Sequence, residues 1–504
     1  MNFELILTII SLLIACLYFY FKNAFDYCKK IGVPTVPTSF LFGNIKSVVF
    51  RQQSISDKVA ETYRLIKPSG YPITAVYFFV HPVFVPISLD LIKNIFLKDF
   101  HHFDDRGIFY DEDNDPVSAH LFSLYGDKWK TLRSKLTPAF TTGKIKFMFD
   151  LIQKNAKEMI DVLSEMTQIN REVEIKDILA RYTTDVIGNT AFGIECNSLR
   201  NPEAEFRVMG NRAFLQTKWD LIRNMIICAS DKVAKVLRLS VFPKEVSKFF
   251  KKVLEETISY RENNNVMRKD FLQILIMLKN GQNLESNELN DQKITLNEAL
   301  AQGFIFFLAG FETTSTSMGF AVFELALNED IQEKARKEVF ETLEKHNGEI
   351  NYDFISELNY LDMVLAESMR KYPPAPAYCR KCTKDYQIPG TKTIIKKGMP
   401  LVIPTFALHR DPDYFPEPDV FNPERFNNTN KHNIKEFSYI PFGEGPRKCI
   451  GMKFATVQSK LALVVLLKSF KFKLSEKTKL PLKMETKGIT LAPANGVWIE
   501  MERI

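Results

Sequence analysis

The chain has 504 residues, a hydrophobic share of 45% and a net charge of +7. That length and apolar content suit a large buried core and exclude a low-complexity or disordered protein. The charge is mild, and no Lys/Arg tract points to nucleic acid. Seven scattered cysteines, an odd number, speak against a disulfide framework.

The first feature along the chain is Leu5 to Phe21, apolar apart from Thr8 and Ser11 and close to the shortest stretch that spans a bilayer. Tyr18 and Tyr20 fall where an aromatic belt would sit. Lys22, Lys29 and Lys30 follow, and only Glu4 precedes, so the positive-inside rule leaves the rest of the chain in the cytosol. A cleaved signal peptide would need a basic start and a small-residue cleavage site, and neither is clear. Residues 1–22 therefore read as an uncleaved anchor. Residues 23–44, with Pro34 and Pro37, read as a stiff extended hinge. Residues 45–504 read as one catalytic domain.

Segments 70–88 and 386–404 predict short strands, the second opening as a hairpin from Tyr386 to Gly398. Most of 121–375 carries helical periodicity, 410–437 is irregular, and the last thirty residues predict a small sheet. The fold class is mainly α with small β-sheets. Trp129 and Arg133 share one helix face at i, i+4. Thr295 and Glu298 form a capping box, and a helix from Leu296 to about Leu327 would be roughly 45–50 Å long. Its 299–311 stretch is apolar almost all round. Glu312 and the run Thr313–Ser317 argue against a second membrane span. Gly310 weakens the helix, and a threonine bonded to the carbonyl of Ala309 would bend it, giving a kink with room for a small ligand.

Glu367 and Arg370 also share a helix face, but this spacing recurs at Glu61/Arg64, Glu333/Arg336, Glu444/Arg447 and Glu500/Arg503. Most of those are expected to be exposed pairs or accidents. Glu367/Arg370 differs in its context, the stop at Tyr372-Pro373-Pro374 and the downstream Pro423-Glu-Arg-Phe426. Cys379-x-x-Cys382 has no second pair at zinc spacing. Phe442–Gly451, FGEGPRKCIG, places Cys449 among three glycines and two cations. The glycines permit strained dihedrals and close approach of a flat ligand. Arg447, Lys448 and the N-terminus of a following helix lower the cost of a thiolate.

The complete pattern Phe-x-x-Gly-x-Arg-x-Cys-x-Gly resembles the haem-thiolate loop of cytochromes P450. The stretch from Tyr125 to Met148 is similar to microsomal members, particularly insect detoxification types, and Ile31–Pro37 to their proline-containing hinge. The resemblance implies the P450 fold and a haem b whose iron is held by Cys449. It implies propionate contacts from Arg133, Arg447, Arg380, Arg106 and Trp129, with Phe442 and Gly443 at the haem. It implies proton transfer by Glu312 and Thr313, and a buried triad of Glu367, Arg370 and Arg425. No flavin or nicotinamide fingerprint appears, so electrons are expected from another protein, which the resemblance implies is NADPH–cytochrome P450 reductase, with cytochrome b5 as a further candidate. Lys128, Lys130, Lys135, Lys448 and Lys453 would form the basic face for that partner.

The implied reaction inserts one atom of O2 into a lipophilic small molecule, above all foreign compounds such as plant toxins or insecticides. The implied location is the endoplasmic reticulum membrane, with the catalytic domain cytosolic. Substrate contacts fall in 104–125, 205–245, Phe304–Thr313, Pro374–Tyr378 and 486–491, and Met225–Cys228 either dips into the membrane or packs in the core. Rival readings are a hormone or lipid hydroxylase, a P450-fold isomerase or dehydratase, and a haem carrier or sensor.

Overall fold

The computed structural model describes residues 3–215, 217–282, 293–486, 488 and 490–504, with backbone only for Lys218, Leu221, Cys228 and Ala229. Gln216, Lys487 and Ile489, in the expected substrate segments, and the Cys228 side chain lie outside the described residues. Among the latter, helices of eight residues or more are α1 Phe3–Lys30, α2 Ile55–Ile66, α3 Gly126–Leu136, α4 Thr142–Ile169, α5 Ile175–Ile187, α6 Glu205–Phe214, α7 Lys218–Ala229, α8 Lys244–Asn263, α9 Phe271–Lys279, α10 Leu296–Leu327, α11 Glu329–Lys345, α12 Asn359–Lys371 and α13 Met452–Ser469. The strands are β1 Ile73–Phe78, β2 His81–Pro86, β3 Glu172–Glu174, β4 Tyr378–Lys381, β5 Tyr386–Gln387, β6 Ile394–Ile395, β7 Pro400–Ile403, β8 Phe470–Leu474 and β9 Trp498–Arg503. The molecule is mainly helical with small sheets, as expected.

The chain folds into two compact units. The first comprises Met1–Gly107, Pro376–Pro416 and Lys435–Lys448; the second comprises Ile108–Ala375, Glu417–Ile434 and Cys449–Ile504.

The first unit is built on a sheet of order β1-β2-β7-β4, whose β2–β7 pair is parallel. The two-residue strand period sorts β1 onto two cores. Ile73, Ala75 and Tyr77 join Phe84, Phe96 and Phe103, while Val76 meets Val59 and Val85. The strand β4 lies outside the segments read as strands from sequence. The helix α1 is the one described helix long and apolar enough to cross a bilayer, and its apolar side chains are exposed along Phe3–Tyr20. It continues past residue 22 to Lys30. Cys28 is fully buried, its N–H donates to the Tyr77 hydroxyl at 3.1 Å, and Phe25 sets its ring edge-on to Tyr77 at 5.4 Å.

The second unit is organised by α10. Its Thr295 cap and Glu298 reciprocate as a capping box, and its middle is buried almost all round. That explains an apolar stretch that could pass for a membrane span. It packs on α5, α8, α12 and α13. A Cβ on Gly310 would sit 2.4 Å from Ile187 Cδ1 of α5, so glycine lets these helices approach. Phe304, Phe307 and Phe311 are fully buried toward α6 and α8, with Phe307 at 4.7 Å from Phe250 and 5.8 Å from Phe206. A sheet of order β3-β9-β8 closes the unit. Of its strands only β9 lies in the last thirty residues. The partners come from 172–174 and 470–474, which correct the sequence expectation. Lys471 and Lys473 of β8 face Glu502 and Glu500 of β9, opposite-charge pairs that favour this register.

Candidate active site

The loop of Phe442–Gly451 crosses from one unit to the other after Lys448. In the first unit Gly443 and Gly445 take φ of +69° and +73°, and a Cβ on Gly445 would lie 2.0 Å from the Phe96 carbonyl oxygen. Gly451 differs. Its φ is −89° and a Cβ there would meet nothing within 4 Å, so strained backbone belongs to two of the three glycines. The strand-end Tyr378 hydroxyl donates to the carbonyls of Pro441 and Ile440 at 2.7 and 3.1 Å, and His409 Nε2 accepts from the Ile440 N–H at 2.9 Å. These anchors, absent from the sequence reading, hold half-buried Phe442 and buried Gly443 in place.

Arg106 donates from Nη2 to the Arg447 carbonyl at 3.1 Å, and Arg447 itself is buried. Arg380 is 2% exposed and lies over the Phe96 ring at 5.1 Å. Its Nη1 donates to the Cys379 carbonyl at 2.8 Å, and its Nε is buried without a hydrogen-bond partner. Burial pushes its pKa down to about 10. A desolvated guanidinium with a spare donor suits a carboxylate, which is what a haem propionate presents.

In the second unit Cys449 is exposed, three residues before α13 begins. Cys28 and Cys382, by contrast, are buried, and burial pushes each thiol up to about 11. Arg133, on α3, has its pKa lowered by burial, opposed by the Cys449 thiolate. Trp129, one turn earlier, is buried. A soft, accessible sulfur and a partly desolvated arginine within its electrostatic reach fit an iron macrocycle with anionic arms. Cys379 is exposed and Cys382 is buried with its Sγ on the Lys384 carbonyl. Among the described residues no cluster of three or more His, Cys, Asp or Glu is poised for a metal ion.

The helix α10 stays α-helical throughout, and Thr313 Oγ1 donates to the Ala309 carbonyl at 2.6 Å. Ala309 is exposed, and Ile305, Phe306, Gly310 and Thr313 are half-buried, making one open strip on an otherwise buried helix. The expected substrate face of Phe304–Thr313 narrows to that strip, because Phe304, Phe307 and Phe311 point into the core. Glu312 takes another direction, since successive helical residues lie about 100° apart. Its Oε1 meets Lys176 Nζ of α5 at 2.8 Å, and the hydroxyls of Thr490 and Thr316 at 3.3 and 3.5 Å. Lys176 has no sequence signal, because nothing in its spacing marks a partner on a distant helix.

Arg370 donates to both oxygens of Glu367 at 2.7 and 2.9 Å, and Arg425 Nε lies 3.3 Å from Oε1. Glu367 and Arg370 are fully buried. The Asn422 N–H adds a bond to Oε1 at 2.9 Å, and Arg425 Nη2 donates to the Glu417 carbonyl at 2.9 Å. The other spaced pairs differ. Glu61 bonds Lys58 and Glu444 bonds Lys448. Arg336 is the exception among them. It is buried and donates to the carbonyls of Leu467 and Phe470 as well as to Glu333.

Of the five lysines expected on a basic face, Lys128 and Lys448 are paired with Glu112 and Glu444 at 2.7 and 3.0 Å. Lys135 donates to the Lys293 carbonyl and Lys453 to the Thr142 hydroxyl, while Lys130 stands exposed.

Comparison with known proteins places this arrangement. The family description "Cytochrome P450" matches residues 34–499. The chain is 39% identical over 503 residues to cytochrome P450 6a9 of Drosophila melanogaster, spanning 100% of this chain and 99% of that one. It is 38% identical over 508 residues to cytochrome P450 6a2 of the same species, spanning 100% of both. It is 37% identical over 493 residues to cytochrome P450 6A1 of Musca domestica, spanning 97% and 96%.

Proposed function

The chain belongs to the cytochrome P450 monooxygenase family, and we propose that it oxidises lipophilic foreign compounds at the endoplasmic reticulum, with electrons from NADPH through cytochrome P450 reductase. As a family member it is a haem enzyme that uses O2, a redox partner and a small-molecule substrate. The observation that carries the haem-thiolate reading is Cys449, an exposed thiol closing the FGEGPRKCIG loop at the head of α13. The insect relatives and the similarity around Trp129 and Arg133 favour foreign compounds over hormones or lipids.

Haem b, when bound, supplies the activation of dioxygen. Cys449 is the residue that holds its iron. Arg106, Arg380, Arg447, Trp129 and Arg133 are the donors that would answer its carboxylates, and Phe442 and Gly443 would line it. Thr313 serves the open strip of α10. Its oxygen can accept a hydrogen bond while its proton rests on Ala309, and rotation about the Cβ–Oγ1 bond turns that proton outward. Glu312 is the second group of the proton path, paired with Lys176. Because the two side chains diverge, a proton passes between them through water or after Glu312 leaves Lys176. Glu367 is the shared counter-charge of Arg370 and Arg425, which in turn bond the Val420 and Glu417 carbonyls and fix the 417–425 segment against α12. The helix α1 is the anchor, and Lys130 with its neighbours receives the reductase.

The test is the ferrous–CO difference spectrum of the full chain, followed by turnover of a lipophilic probe with reductase and NADPH. A strongly red-shifted Soret band that Cys449→Ala abolishes, together with reductase-dependent product, is the expected result. A folded protein that binds haem without that band would overturn the thiolate assignment.

A further inference from the structure

The turn that opens the cysteine loop lies wholly in the first unit, and both backbone polar groups of its first residue are held by distant side chains. Ile440 is fully buried. Its carbonyl accepts the Gly443 N–H at 3.0 Å, which closes the turn, and the Tyr378 hydroxyl at 3.1 Å. Its N–H donates to Nε2 of His409, 31 residues earlier, at 2.9 Å. His409 is itself fully buried, its ring inclined to Tyr439 at 5.3 Å and edge-on to Phe415 at 6.5 Å. It follows a single helical turn, Thr405–Leu408, and its own N–H returns to the Thr405 carbonyl at 3.0 Å. Leu408 shares one core with Ile403 of β7, Phe437 and Ile440. Backbone and ring of His409 are thus fixed from several sides.

An imidazole nitrogen that accepts an N–H is unprotonated, so this ring works as a neutral acceptor. A buried amide that loses its acceptor bears the full cost of desolvation, and the chain shifts to find another partner. The loop has little slack to absorb such a shift. A Cβ on Gly445 would meet the Phe96 carbonyl, the Lys448 N–H returns to the Gly445 carbonyl at 2.9 Å, and the next residue is Cys449. Groups that orient a metal ligand from outside its contact shell govern how firmly the metal is held. We infer that His409 is a positioning residue for thiolate ligation, acting through the Nε2 lone pair on the Ile440 amide, given Cys449 as the iron ligand.

Two variants separate the acceptor from the ring. His409→Gln keeps an acceptor at about the reach of Nε2. His409→Phe keeps a flat ring beside Tyr439 and removes the acceptor. Both are compared with the parent, full length and haem-loaded, for the rate at which the ferrous–CO band leaves its thiolate position on mild warming. His409→Phe should lose the band several-fold faster, His409→Gln at nearly the parent rate, and KM for a lipophilic probe should not change in either. Loss at the parent rate in His409→Phe overturns the inference. Equal acceleration in both variants assigns the effect to ring packing and overturns the acceptor role. Hydrogen–deuterium exchange at the Ile440 amide is a readout that does not depend on haem chemistry. It should be slow in the parent and in His409→Gln, and several-fold faster in His409→Phe. If His409→Phe does not fold, a protected Ile440 amide in the parent and in His409→Gln supports the inference, and exchange at the rate of an exposed loop overturns it. A folded, haem-loaded parent without the red-shifted band refutes the Cys449 reading instead, so the two failures are distinguishable.

Discussion

Single side chains divide the chemistry on α10. Thr313 opens onto the strip around Ala309, whereas Glu312 is bound to Lys176 and Thr490. Replacing Thr313 by Ala should lower product formed per NADPH, toward the lower end of the roughly 10²–10⁴-fold that positioned proton donors contribute. NADPH oxidation itself should persist, with peroxide as the balance; unchanged coupling would remove Thr313 from proton transfer. Asp115 offers a test by pH. Burial, with Asp111 adding to it, raises its carboxyl from 3.8 to about 6, while Arg223 and Lys244 oppose the shift. Its Oδ2 is buried without a hydrogen-bond partner. The folded protein therefore holds this proton more tightly than the unfolded chain. Stability falls as pH rises through the window between those values, and the penalty is complete above it. Asp115→Asn should raise Tm at pH 7.5 and make little difference below pH 4, where both states carry the proton. A stabilisation equal at both pH values would contradict this account.

Among the elements, α10 shows what a sequence reveals and what it conceals. Its start was legible because capping is local: Thr295 and Glu298 are three residues apart and reciprocate. Its two faces were not, because Phe304 and Ala309 differ in burial for reasons that lie on α6, α8 and α5. The same contrast governs the triad. Spacing gives Glu367/Arg370 no advantage over four similar pairs, and only Arg425 and the Asn422 amide, supplied by a distant loop, set it apart. Similarity to a family found that loop; periodicity could not. The consequence is a difference in cost. Glu367→Ala leaves two arginines without their counter-charge and should destabilise by about 3–5 kcal/mol, with little haem-loaded protein recovered. Glu61→Ala removes a pair open to water and should cost at most about 1 kcal/mol by the same denaturation measurement. Comparable losses would mean that the buried cluster carries no special weight. The strand β4 carries no legible period, because it is only four residues long, follows a Pro-rich turn and includes Cys379 of the Cys pair.

For the molecule as a whole, orientation in the membrane is testable from one residue. Asn427-Asn428-Thr429 is a glycosylation acceptor sequence whose acceptor Asn427 is half-buried beside exposed Asn428 and Thr429. With the globular units in the cytosol the protein made in cells should show no mobility shift on endoglycosidase treatment, and a shift would invert the topology. The end of α1 carries a further consequence. A loose hinge would let the globule hang from its anchor at any angle. Instead the last turns of α1 are part of the first unit's interior, through Cys28, Phe25 and the Tyr77 hydroxyl. At roughly 1.5 Å per residue the helix is about 42 Å long, more than a hydrocarbon layer of roughly 30 Å requires. Its apolar part, Leu5–Phe21, is about 26 Å long at that rise, so if it spans the membrane a bilayer thinner than that tilts the helix. Tilt would then act as a lever on the first unit, so that lipid chain length, without touching the substrate, sets the angle at which this unit meets the membrane.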